Sequence, residues 1–308
     1  MSRMGACFER LRRDREGALI VFTVAGHPDP ETSAKVLEAI ADGGADIIEL
    51  GVPFSDPLAD GPAIQAASQR ALAEGMTPAK VLEMAAAFRR KRDVPLVLMT
   101  CYNPICQLGI ERFAEESVAA GIDGVIVTDL PPEESEEWVG VARAYGLDTV
   151  FLLAPNSPVA RVKKVVDIAT GFVYCVSRMG VTGARAELPS DLTHLVSRIR
   201  RETAKPVAVG FGISRREHVA EVCRMAHGAV VGSALVSLID RHQGAAGLTE
   251  AVSALVSELK AATRNQRGAE HDPRCDASGG PERQRQEGES YVLEDRPGED
   301  DRSLNPAP

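Results

Sequence analysis

The chain has 308 residues, 44% hydrophobic and 26% charged, with a formal net charge of -9, enough apolar side chain for one sizeable core inside an acidic, water-exposed surface. No apolar run reaches the ~18 residues of a membrane span, and the charged stretch from Met1 to Arg15 lacks a signal peptide's apolar segment, so a cytoplasmic protein with no membrane or nucleic-acid partner is expected. Cys7, Cys101, Cys106, Cys175, Cys223 and Cys275 form no CxxC pair, which disfavours structural zinc and a disulfide framework.

In chain order, a short helical pattern over Phe8–Asp14 precedes an apolar strand, Leu19–Ala25, whose following loop carries His27, expected as a surface residue. Helical spacing over Ser33–Ile40 leads to a second strand, Asp46–Gly51. Within it Glu49 is a carboxylate among apolar neighbours. Burying an unpaired charge is costly and shifts its pKa, so a carboxylate there points to function. Side chains alternate along a strand: if Ile48 and Leu50 face covering helices, Ile47, Glu49 and Gly51 face the interior. The loop beyond holds Pro53, Asp56, Pro57 and Asp60. Asp56-Pro57 reads as a turn. Asp60-Gly61-Pro62 precedes a helix over Ala63–Ala73, so capping and catalysis stay equally open for Asp60.

A helix over Pro78–Arg90 and a strand over Pro95–Thr100 follow, then Ile110–Ala120, Gly124–Thr128, Glu133–Tyr145, Thr149–Leu153, Val159–Ile168 and Gly171–Val176 in the same alternation. The segment Ser177–Leu188 is longer than most strand-to-helix loops, and its glycines at 180 and 183 suit a lid over a bound substrate. Helix Pro189–Arg200, strand Pro206–Val209, helix Arg215–Met225, strand Ala229–Gly232, a helix through Leu238 and a last helical pattern over Thr249–Thr263 complete the series.

Strict alternation of strand and helix requires parallel strands covered by helices. Eight units in about 240 residues point to a (β/α)8 TIM barrel with extra terminal helices, over a doubly wound open sheet as the second choice. The barrel domain spans residues 1–264. Residues 265–308 hold eleven acids and six arginines, a balance of -5, with only Tyr291, Val292, Leu293 and Leu304 as large apolar side chains, and are expected to be a disordered tail.

In this fold chemistry sits at the C-terminal ends of the strands, where Glu49 falls. Gly210–Ser214 and Gly232-Ser233-Ala234 follow the seventh and eighth strands, a common place for a phosphate held by loop and helix N–H groups. The lysines lie on helix-like segments or at the wrong ends of strands for a Schiff base, and the histidines are too dispersed for a metal site. Acid–base work by carboxylates on a phosphorylated small molecule is what remains.

Glu49–Pro62 resembles the signature of the tryptophan synthase alpha chain, and Ser177–Gly183, Gly210–Ser214 and Gly232–Ala234 match that family in its order. The resemblance spans about residues 8 to 263. It implies a lyase of tryptophan biosynthesis that cleaves indole-3-glycerol phosphate to indole and glyceraldehyde 3-phosphate. It also implies an alpha2beta2 complex with a beta chain that alone carries pyridoxal phosphate. By resemblance Glu49 is the general acid–base and Asp60 the partner of the indole N–H, contacted by Thr182 when the lid closes. Phe22, Leu98 and Tyr174 line the indole pocket, and Cys101 stands where the family usually has a tyrosine. Gly183, Gly212, Ser214, Gly232 and Ser233 hold the phosphate, and Pro53, Asp56 and Pro57 meet the beta chain. His27 replaces the family's usual aspartate. A poorly active subunit that only regulates a beta chain, or another phosphate-binding barrel lyase or isomerase, are the alternatives.

Overall fold

The computed structural model describes residues 1–57, 60–176, 190–210 and 212–264. The expectations for Thr182, Gly183, the lid and the tail lie outside the described residues. The chain opens with α1 (Arg3–Arg13), β1 (Ala18–Val24), α2 (Pro30–Asp42) and β2 (Ile47–Gly51). Next come α3 (Pro62–Ala73), α4 (Pro78–Arg89), β3 (Leu96–Thr100), α5 (Tyr102–Leu108) and α6 (Ile110–Ala119). Then follow β4 (Gly124–Val127), α7 (Glu136–Tyr145), β5 (Asp148–Leu153), α8 (Val159–Ile168), β6 (Val173–Val176) and α9 (Ser190–Glu202). The series ends with β7 (Val207–Gly210), α10 (Arg216–Met225), β8 (Gly228–Val231), α11 (Ser233–Arg241) and α12 (Leu248–Ala261). The strands pair in parallel in sequence order, and β8 closes on β1. The fold is a (β/α)8 barrel. Among the described residues no helix is long and apolar enough to cross a membrane.

Two apolar layers follow from strand alternation. Outward side chains such as Val21, Ile48, Leu50, Val125 and Val209 pack under the helices, while Ile20, Ile47, Val97, Ile126, Val150 and Tyr174 fill the barrel. Helix α1 closes the N-terminal end of the barrel. It begins earlier than its periodicity suggests, because Ser2 caps it by accepting the Gly5 N–H at 3.2 Å. Met4, Phe8 and Leu11 then enter the inner cluster, with the Phe8 ring 6.0 Å from that of Phe172. The short helix α5 has no counterpart in the sequence reading. Seven residues are too few to show a period, and Pro104 obscures a helix whose first turn it fits.

The N-terminal strand ends repeat one ionic device. Asp46 accepts the Leu19 N–H and pairs with Arg10 and Lys260; Asp123 accepts the Leu96 N–H at 2.8 Å and pairs with Arg89 at 2.7 Å and Arg3 at 2.9 Å. Each aspartate thus ties two strands and α1 together. Removing a buried partner from such a network orphans the groups it satisfied. Asp123→Ala is therefore expected to destabilise the barrel by about 3 kcal/mol in urea unfolding, with the chemistry at the opposite end unaffected. A loss under about 1 kcal/mol would mean that water replaces the carboxylate at little cost.

Candidate active site

Glu49 lies beside Phe22 of β1 and Val97 of β3 in the register of the sheet. Ile47 belongs to the inner cluster and Ile48 and Leu50 to the outer one, so alternation turns Glu49 into the barrel near its C-terminal mouth. The side chain is fully buried and, among the described residues, neither carboxyl oxygen has a hydrogen-bond partner. Burial raises its pKa to about 8. At neutral pH the group is held mainly as the neutral acid, able to give a proton to a substrate and take one back.

Aromatic rings surround that carboxyl. Tyr174 is buried on the inner side of β6, and burial, reinforced by the Glu49 charge, holds its phenol well above the usual range. The Phe22 ring lies so close to Gly51 that a Cβ there would fall 2.8 Å from it, and Gly232 would meet it at 3.2 Å. Glycine at the ends of β2 and β8 thereby makes room for the ring.

Leu98 is not part of this wall, which corrects the expectation for it. It shares a row with Leu50 and Val125 in the helix-facing layer. Met99 takes the inward position and packs against the inner cluster. One step along a strand reverses the face, and β3, apolar on both sides, gives no alternation by which to fix its parity.

Asp60 also departs from one of its two readings. The N-cap of α3 is Gly61, with no side-chain capping bond, so Asp60 does not cap the helix. Its main chain is fixed by an N–H bond to the Pro57 carbonyl at 3.1 Å and by accepting the Gln65 amide at 2.9 Å. The carboxylate has no hydrogen-bond partner among the described residues, and partial burial raises its pKa. Cys101, half-buried just beyond β3, has its Sγ 3.7 Å from Thr128 Oγ1. Burial pushes that thiol up, and Asp129, Asp60 and Asp56 push it further. All three carboxylates thus act on the Cys101 thiol through their negative charge, while Asp129 also accepts the Tyr102 N–H at 2.7 Å. Asp56 is exposed and accepts the Ser55 hydroxyl at 2.6 Å, while Pro53 is buried.

The loops after β7 and β8 carry the glycines and serines expected at a phosphate. Gly212 has φ +44°, a left-handed conformation that favours glycine, and Ser214 is exposed two residues on. Gly232 caps α11 without a side-chain bond, and Ser233 is exposed in the first helical turn, where N–H groups have no partner within the helix. His27 is wholly buried, contrary to its expected place at the surface. The turn after β1 folds under α3 and α11, where loop composition alone gives no signal of burial.

Residues 8–264 match the family model described as the tryptophan synthase alpha chain. The chain belongs to the tryptophan synthase alpha-chain family. It is 48% identical over 265 residues to the tryptophan synthase alpha chain of Geobacter sulfurreducens, an alignment covering 86% of this chain and all of the relative. The alpha chain of Solibacter usitatus is 47% identical over 84% of this chain and 97% of its own length. Among solved structures, tryptophan synthase subunit alpha from Legionella pneumophila superposes with a TM-score of 0.80 at 35% identity, covering 85% of this chain and 98% of that one. The Pyrococcus furiosus tryptophan synthase complex gives 0.74 at 43% identity, covering 79% and 98%. Membership of the alpha-chain family embraces the whole barrel, with every described site residue inside the matched span.

Proposed function

We propose that this chain is the lyase that cleaves indole-3-glycerol phosphate to indole and glyceraldehyde 3-phosphate, with Glu49 as the acid–base group. The observation that carries the assignment is a fully buried carboxyl at the barrel mouth, without a hydrogen-bond partner among the described residues and with its pKa raised to about 8. In its neutral form Glu49 delivers a proton to indole C3, and the ring nitrogen becomes cationic. Asp60 accepts a hydrogen bond from that N–H and offsets the positive charge. The Glu49 carboxylate then removes the proton of the side-chain hydroxyl next to the ring. That hydroxyl becomes the aldehyde carbonyl, the carbon–carbon bond breaks, and its electron pair restores the aromatic ring. Glu49 ends protonated, ready for another turnover.

Phe22, Tyr174 and Met99 flank the indole, and Cys101 lies on its Asp60 side. Gly212, Ser214, Gly232 and Ser233 hold the phosphate, together with Gly183. The resemblance assigns Thr182, in the segment 177–188, the contact with Asp60 when substrate is bound. Pro53, Asp56 and Pro57 face a beta chain in an alpha2beta2 complex, and indole passes to that chain, which carries the pyridoxal phosphate. The assembly belongs in the cytoplasm.

Incubation of the purified chain with indole-3-glycerol phosphate, with and without a beta chain, tests the reading. Indole and glyceraldehyde 3-phosphate are expected in equal amounts, and faster with the beta chain. No product in either case would overturn the lyase assignment, and a rate indifferent to the beta chain would remove the coupling.

A further inference from the structure

Beyond the reacting groups, a half-exposed ion pair built over a buried histidine joins three elements that carry the site. His27 lies in the turn after β1, Arg70 on α3 and Asp240 near the end of α11. The His27 side chain is wholly buried, and among the described residues neither ring nitrogen has a hydrogen-bond partner. Its Nε2 stops 3.4 Å from Asp240 Oδ1. That same oxygen accepts Arg70 Nη1 at 2.9 Å, and Arg70 Nη1 also donates to Gln243 Oε1 at 2.7 Å. A buried imidazole must keep at least one N–H, and leaving that donor without a hydrogen bond is costly. Packing alone would be served more cheaply by an apolar side chain of similar size.

The elements say what the cluster controls. Helix α3 begins at Pro62, two residues after Asp60, and α11 begins at Ser233 beside Gly232. The Arg70–Asp240 pair therefore fixes the distance between the helix that follows the indole-nitrogen contact and the helix whose N-terminus faces the phosphate. Asp240 lies two turns from Ser233 along a helix only nine residues long. A pivot at one end of so short and regular a rod moves the other.

We infer that Asp240, held by Arg70 and faced by His27, is a positioning residue that sets the phosphate-binding end of α11 relative to Asp60. This rests on the phosphate site proposed above. The imidazole makes the arrangement sensitive to acid. The charged groups that face His27 are Asp240 from α11 and Arg70 from α3. Burial holds the imidazole below its ordinary pKa, Arg70 adds to that, and Asp240 opposes both. His27 is thus neutral at pH 7. When protonated it competes with Arg70 for Asp240 Oδ1.

The test uses the full chain and two ligands, indole-3-glycerol phosphate in turnover and inorganic phosphate in calorimetry. Asp240→Asn is expected to raise KM about tenfold and weaken phosphate binding in parallel, with kcat within about threefold of wild type. Asp240→Glu should restore most of the loss. In wild type, KM rises more steeply below pH 6 than in His27→Asn; the substrate phosphate titrates in both and cancels in the comparison. A lower melting temperature for Asp240→Asn with KM and phosphate affinity unchanged would reduce the cluster to structural support and overturn the inference. Coincident pH profiles for wild type and His27→Asn would overturn the part given to the imidazole. A wild-type chain that binds phosphate but releases no indole would instead overturn the proposed reaction, and the calorimetric comparison would still decide the role of Asp240.

Discussion

Glu49→Gln should lower indole release by about a thousandfold or more while leaving the barrel folded, because the amide can neither give the proton to C3 nor accept the one from the hydroxyl. A second consequence separates chemistry from packing. The folded-state pKa of Glu49, about 8, lies above its value in an unfolded chain, so the folded form binds the proton more tightly. The contribution to stability is complete below about pH 4 and is lost progressively as pH rises through 8. By linkage the loss approaches ~5 kcal/mol, an upper figure since relaxation and water entry reduce it. Gln at this position does not titrate. Between pH 5 and 9 the wild type should therefore lose stability in urea unfolding, while Glu49→Gln stays nearly flat and becomes the more stable protein at the alkaline end. Parallel stability curves for the two would show that the carboxyl is solvated in the folded chain, and substantial residual turnover would remove it from the acid–base role.

That a group so costly to stability could be recognised in the sequence follows from its surroundings. A lone carboxylate in an otherwise apolar strand breaks the local pattern, and strand parity was enough to aim it inward, since Ile47 and Ile48 lie on opposite faces. The barrel itself was legible for the same reason: eight apolar runs alternating with helical periods admit few arrangements, and the observed strands match them within one or two residues. What escaped were facts that periodicity does not encode. Leu98 rests on the resemblance alone, and β3, apolar on both sides, offers no alternation against which its face can be checked. The short α5 carries too little periodicity to register. His27 sits in a turn whose composition suggests solvent, and only the packing of α3 and α11 against that turn makes it buried. Asp60 showed the opposite limit, since a cap and a catalytic group share one sequence signature. The absence of a capping bond at Gly61 removes the first of the two readings.

Asp60→Asn should then be nearly silent for folding and severe for catalysis. An asparagine keeps the shape of the side chain and an acceptor oxygen for the indole N–H, but it does not supply the charge. If Asp60 offsets a cation that exists only after C3 is protonated, the loss falls on the transition state: kcat drops by about 10²–10³ and KM moves little. If Asp60 merely orients the ring, the amide serves almost as well and kcat changes by less than about tenfold. The pH profile gives an independent reading. Partial burial raises the Asp60 pKa above that of a free aspartate, so kcat in the wild type falls as acid protonates it, and falls again above about pH 8 as Glu49 loses the proton it must deliver. In Asp60→Asn the acid limb should vanish and the alkaline limb remain. Measured at saturating substrate, a retained acid limb would place the ionisation on another group and take the charge-stabilising role from Asp60.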